Sequence, residues 1–113
     1  MEIKRISNAN MNEITRYNLI NGDGAAGLST AAGSALEIQD YIVFESIDVN
    51  TNKPKTILSL VTKDGEFFAT NSPTCVDAFE RICEAFTVLP VVEFYKGRSK
   101  SNREYLSCRP IVK

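Results

Sequence analysis

The sequence contains no histidine. That absence excludes Ser-His-Asp and Cys-His nucleophilic machinery, histidine acid–base chemistry and histidine metal sites together. Cysteine is scarce: Cys75, Cys83 and Cys108 share no C-x-x-C spacing, and their number is odd. Such usage predicts reduced thiols in a cytosolic compartment. No apolar run reaches the roughly 18 residues of a membrane span, and MEIKRISNAN at the start lacks the apolar stretch of a secretory signal. The expectation is a soluble cytoplasmic protein with no membrane partner. Carboxylates are present but scattered. Asp40, Glu45, Asp48, Asp64 and Glu66 form neither a D-x-D metal cluster nor an acid–base pair. No catalytic residue, metal or cofactor is assigned, and the chain reads as non-enzymatic.

What remains is enough for one folded domain over residues 1–113: 43% of positions are hydrophobic and 24% charged. The formal net charge is −1, which by itself points to no partner. The distribution is not neutral. Residues 96–113 hold Lys96, Arg98, Lys100, Arg103, Arg109 and Lys113 against Glu104, whereas residues 1–95 hold seven cations against thirteen anions.

Residues 1–20 carry Met11, Ile14 and Tyr17 at helical spacing, but Asn8, Asn10 and Asn12 weaken a helix there, so an irregular arm or a first strand fits equally. Residues 21–34, NGDGAAGLSTAAGS, have almost nothing to bury and predict a flexible Gly/Ala-rich loop. From residue 39 the signal sharpens. Gln39 to Val49 and Thr56 to Thr62 read as strands, and the Asp64-Gly65 dipeptide turns the chain into Phe67 to Thr70. Ser72 as N-cap and Pro73 at the first helical position start a helix whose stripe is Val76, Phe79, Ile82, Cys83 and Phe86. Val91 to Lys96, the loop GRSKSN and Arg103 to about Val112 complete a hairpin. The class is mainly β with one helix. Its β-β-β-α-β-β order is that of an OB-fold-like five-stranded barrel, which binds single-stranded nucleic acid or oligosaccharide.

Gly22-Asp23-Gly24-Ala25-Ala26-Gly27 satisfies G-x-G-x-x-G. A dinucleotide fingerprint needs a strand before it and a helix opening within it, and no alternating β/α pattern follows here. We assign it no cofactor. The basic hairpin over 91–113 is the stronger candidate. Strand alternation sets Arg103, Tyr105, Ser107 and Arg109 on one face and Leu106, Cys108 and Val112 on the other. Cations for phosphates beside a flat ring for bases is the chemistry of single-strand binding, and Lys96, Arg98 and Lys100 extend the track. Phe67 and Phe68 must point to opposite faces, as must Phe94 and Tyr95. One ring of each pair is free to stack, so Phe67, Phe68, Tyr95 and Tyr41 join the candidate contacts.

ILSLVTKDGEFFATNSPTCVDAFERI and EFYKGRSKSNREYLSC together carry a strand, an Asp-Gly hairpin, Thr-Asn-Ser before a helix, and Gly-x-Ser-Lys-x-x-Arg-x-Tyr. Over about residues 40–112 this resembles small single-stranded DNA-binding proteins of tailed bacteriophages infecting Gram-positive bacteria. The resemblance implies an OB-like fold and coating of displaced strands during replication without sequence specificity, in the host cytoplasm. It implies Lys96, Arg98, Lys100, Arg103 and Tyr105 as contacts, with Phe67 or Phe68 as a stacking ring. Bacterial single-strand binders typically end in an acidic tail, whereas this sequence ends Arg-Pro-Ile-Val-Lys. Recruitment of replication proteins would then use another surface, such as the acidic part of residues 37–93. Self-association into a homo-oligomer is left open. The rival function is a protein-interaction module, such as a phage factor binding a host protein.

Overall fold

The computed structural model describes residues 1–22 and 24–111. Its sheets are built on the strands that the apolar patterning marks. Strand β4 (Ile38–Ile47) pairs antiparallel with β5 (Pro54–Thr62), and β5 pairs with β6 (Phe67–Thr70) across the Lys63–Glu66 turn. Gly65 sits at φ 85° in that turn, a conformation that side-chain-bearing residues adopt only at a cost. Two further strands extend this sheet. At one edge β1 (Glu2–Ile6) runs antiparallel to β4; at the other β2 (Ala26–Gly27) runs parallel to β6. The order is β1-β4-β5-β6-β2. A second sheet has the order β3-β7-β8, formed by β3 (Ser34–Leu36), β7 (Val91–Arg98) and β8 (Glu104–Ile111).

Both helices are bounded by side chains suited to the task. Asn12 caps α1 (Glu13–Asn21), its side chain accepting from the Ile14 amide at 2.8 Å, and Gly22 ends the helix at φ 69°. One of the asparagines that argued against a helix, Asn12, is thus its start signal, and Gly22 its stop. Ser72 caps α2 (Pro73–Ala85) with Pro73 in the first turn, as the sequence predicts. Helix α2 stops at Ala85, and Phe86 turns extended with 41% of its surface exposed. Its expected place on the core stripe is therefore corrected: the periodicity outlasts the helix by one residue.

The five-stranded sheet is covered on both faces. On one face Val43, Leu58, Leu60 and Phe68 pack with Val76, Phe79 and Ile82 of α2 and with Val92, Phe94, Leu106 and Cys108 of the second sheet. On the other, Ile42, Phe44 and Val61 pack with Met11 and Leu19, and Phe67 lies partly buried against them. The mainly β, OB-like class holds, with the order β-β-β-α-β-β running from β4 to β8. The details differ from five strands and one helix: the described residues form eight strands in two sheets and two helices, and the sheets do not close into one barrel.

The segment expected as a flexible loop also carries structure. Ala26–Gly27 pairs with Phe68 and Ala69, and Leu28–Ala31 form a 3-10 turn whose Leu28 and Ala31 enter the main core. Leu28 is fully buried. One leucine supplies what the surrounding small residues cannot, and Gly22 is the end of α1 rather than a phosphate loop. Asp23 lies outside the described residues. Replacing Leu28 with Ala should cost about 2–5 kcal/mol in urea unfolding; a change within about 0.5 kcal/mol, usual for surface sites, would show that the segment does not anchor the core.

Candidate nucleic-acid interface

The β7–β8 hairpin is pinned by its turn. The Asn102 amide donates to the Ser99 carbonyl at 2.9 Å, and the Ser99 amide donates to the Arg103 carbonyl at 2.9 Å. Asn102 adopts φ 63°, the left-handed position for which asparagine is well suited. The turn sets Arg98 opposite Glu104, Gly97 opposite Tyr105, Tyr95 opposite Ser107 and Glu93 opposite Arg109. Strand alternation then places Glu93, Tyr95 and Gly97 with Tyr105, Ser107 and Arg109 on one face. Val92 and Phe94, with Leu106 and Cys108, turn into the core on the other. Val112, expected on that core face, and Lys113 lie outside the described residues.

Aromatic and cationic groups on the outward face are ordered against each other. A Cβ on Gly97 would lie 2.5 Å from the Tyr105 Cζ and Oη atoms, so the Tyr105 ring lies across the glycine. The Arg109 guanidinium carbon stands 4.9 Å from the centre of the Tyr95 ring, a cation–π arrangement. Its Nε also donates to Glu93 Oε1 at 2.7 Å. Tyr95 and Tyr105 are both half-buried. Ser107, expected outward, shares this face but is buried between its larger neighbours.

The expected cations divide into two groups. Lys96 belongs to the strand face of Phe94 and reaches Glu104 at 3.6 Å, and Arg109 is held by Glu93. Arg98 donates to the Asn102 side-chain oxygen at 3.3 Å, a neutral partner that leaves its charge uncompensated. Arg103 lies in the turn rather than in the strand, its amide donating to Ser99 Oγ at 3.3 Å, and Lys100 is at the tip. Among the described residues, Arg98, Lys100 and Arg103 have no carboxylate within ion-pair distance. All three are exposed.

Three expected stacking rings are not on this surface. Phe68 is buried in the main core and presents no face to a base. Phe67 is partly buried against the second core. Helix α1 covers the sheet face to which Phe67 points, so both members of that pair pack. Tyr41 packs edge-on against Phe79 of α2, with ring centres 5.0 Å apart. Burial and the neighbouring Cys83 thiol push its hydroxyl pKa up. The Cys83 thiol is itself pushed up by burial, and that of Cys108 by its hydrogen bond with Cys75 and by burial. These are packed thiols, and all three cysteines are free. Glu93, by contrast, belongs to the candidate interface and was missed. The turn length that fixes the hairpin register would have found it opposite Arg109.

A small β protein with cations free of carboxylate partners and half-buried tyrosines on one strand pair has the chemistry of a single-strand binder. The chain belongs to the Phi29-type family of phage single-stranded DNA-binding proteins, whose family model matches residues 6–109. No curated protein and no solved structure matches it. No helix among the described residues is long and apolar enough to cross a membrane.

The glycine at 97 gives this surface a direct test. Gly97→Ala should displace the Tyr105 ring, visible as a change in near-ultraviolet circular dichroism. Because the clash is with the far end of a mobile side chain, unfolding free energy should change by less than about 1 kcal/mol. An unaltered tyrosine signal would show that Tyr105 does not rest on Gly97.

Proposed function

We propose that the exposed end of the β7–β8 hairpin is the contact surface by which this protein coats displaced single-stranded DNA during replication, without sequence specificity. The observation that carries the reading is the combination found there: Arg98, Lys100 and Arg103 have no carboxylate within ion-pair distance among the described residues, and half-buried Tyr95 and Tyr105 share one face of the same strand pair, with Arg98 on the other. Cations neutralise phosphates, rings stack on bases of any identity, and neither needs a reading of base edges. The action is passive and non-enzymatic, and its setting is the cytoplasm of the phage's host. Replication proteins and further copies of the chain along the same strand are partners compatible with it.

Geometry sharpens the electrostatics. The three cations that lack a carboxylate partner among the described residues of the hairpin predict a log–log salt slope of about −2, at about −0.7 per phosphate contact on single strands. Titrating oligothymidine at several salt concentrations measures it, and absent or salt-independent binding would sink the reading. Replacing Arg103 and Tyr105 together with Ala should weaken binding by about 5- to 150-fold, from base stacking worth about 1–3 kcal/mol per base. The melting temperature should stay nearly unchanged. A protein-docking module would behave otherwise: it would tolerate that double replacement and retain its partner after nuclease treatment.

A further inference from the structure

The assignment of strand binding to the hairpin leaves Glu93 unexplained. It is an acid placed on the face where a polyanion would lie. Exposed ion pairs add little to stability, so packing alone does not account for a carboxylate there. The details of its setting are informative. Glu93 stands on β7, the middle strand of the second sheet, with Ala35 of β3 opposite it on one side and Arg109 of β8 on the other. Its side chain is 23% exposed and that of Arg109 62%. The acid is therefore the rooted partner and the guanidinium the movable one. Arg109 is also drawn over the Tyr95 ring, 4.9 Å from its centre. A single contact thus withholds two groups from a strand: it neutralises a cation and covers part of a stacking ring.

We propose that Glu93 is a built-in competitor of the strand's phosphates for Arg109, and so sets the affinity and salt dependence of single-stranded DNA binding. A phosphate and a carboxylate both take guanidinium N–H groups in the same fork geometry, so one replaces the other without new machinery. When the guanidinium passes from Glu93 to a phosphate, it leaves the face of Tyr95, and a base has access to the ring. Charge neutralisation and stacking are then coupled through one arginine. The remaining carboxylate lies near the strand and opposes it. Glu104 provides the comparison, because it holds Lys96 on the opposite strand face, away from Tyr95 and Tyr105.

This inference rests on the hairpin being the strand-binding surface, and the experiment separates the two. Oligothymidine is titrated against the full chain and its Glu93→Gln, Glu104→Gln and Arg109→Gln variants, with circular dichroism checking that each is folded. Glu93→Gln should bind about fivefold more tightly near 0.1 M salt and steepen the slope from about −2 to about −2.7, the effect of one added phosphate contact. Arg109→Gln added to Glu93→Gln should return the slope to about −2. Equal or weaker binding by Glu93→Gln would overturn the proposal. So would an identical gain from Glu104→Gln, which would reduce the effect to net charge. If the Arg103 and Tyr105 replacements leave binding intact, the surface itself is wrong and both readings fall.

Discussion

The architecture depends on one strand having to bury both of its faces. In β5, Leu58 and Leu60 enter the main core, whereas Ser59 and Val61 are buried on the reverse side. A strand of alternating side chains cannot satisfy both faces with one covering layer. Helix α2 and the β3-β7-β8 sheet cover the first face, and α1 with the preceding Met11 covers the second. Each peripheral element takes its position from that demand. The chain from α1 through β2 and the 3-10 turn to β3 carries the backbone from one covering layer to the other, with Leu28 anchoring it in the main core.

The exposed hairpin end follows from the same demand. Leu106 and Cys108 are the β8 residues that reach the main core, and Val92 and Phe94 are their counterparts on β7. Beyond Phe94 and before Leu106 the two strands continue past the core, with solvent on the face that carries Lys96, Arg98 and Glu104. Cations at such positions lose little hydration and keep their charge available to a ligand. The strand pair is therefore stable where it is anchored and chemically open where it extends, held in register by its own turn hydrogen bonds.

From Ile38 onward the elements were legible in the sequence, because local chemistry and apolar period agreed there: Asp64-Gly65 for the turn, Ser72-Pro73 for the helix start, and alternating or 3.6-spaced apolar residues between them. The first third was not legible. Its helix buries Leu19 and little else, and Asn12 acts as its cap rather than as a breaker. That unseen helix explains the errors among the aromatics. With one face assumed open, one member of the Phe67–Phe68 pair would be free; with both faces covered, Phe68 is buried and Phe67 partly so. Tyr41 was lost for a related reason, since the edge of Phe79 that holds it belongs to a helix whose docking face, but not its docking partner, was visible in the periodicity.

Net charge by segment proved a coarser guide than pairing. Residues 96–113 carry an excess of five positive charges, yet the hairpin register commits Lys96 and Arg109 to carboxylates and leaves Arg98, Lys100 and Arg103 uncompensated. The turn from Ser99 to Arg103 decides this. Lengthening or shortening it by one residue would move every opposite partner by one and, because side chains alternate, separate Tyr105 from Gly97 and Arg109 from Glu93. Asn102 in its left-handed conformation thus fixes more than a bend. It determines which cations stand clear of a carboxylate and which are held by one.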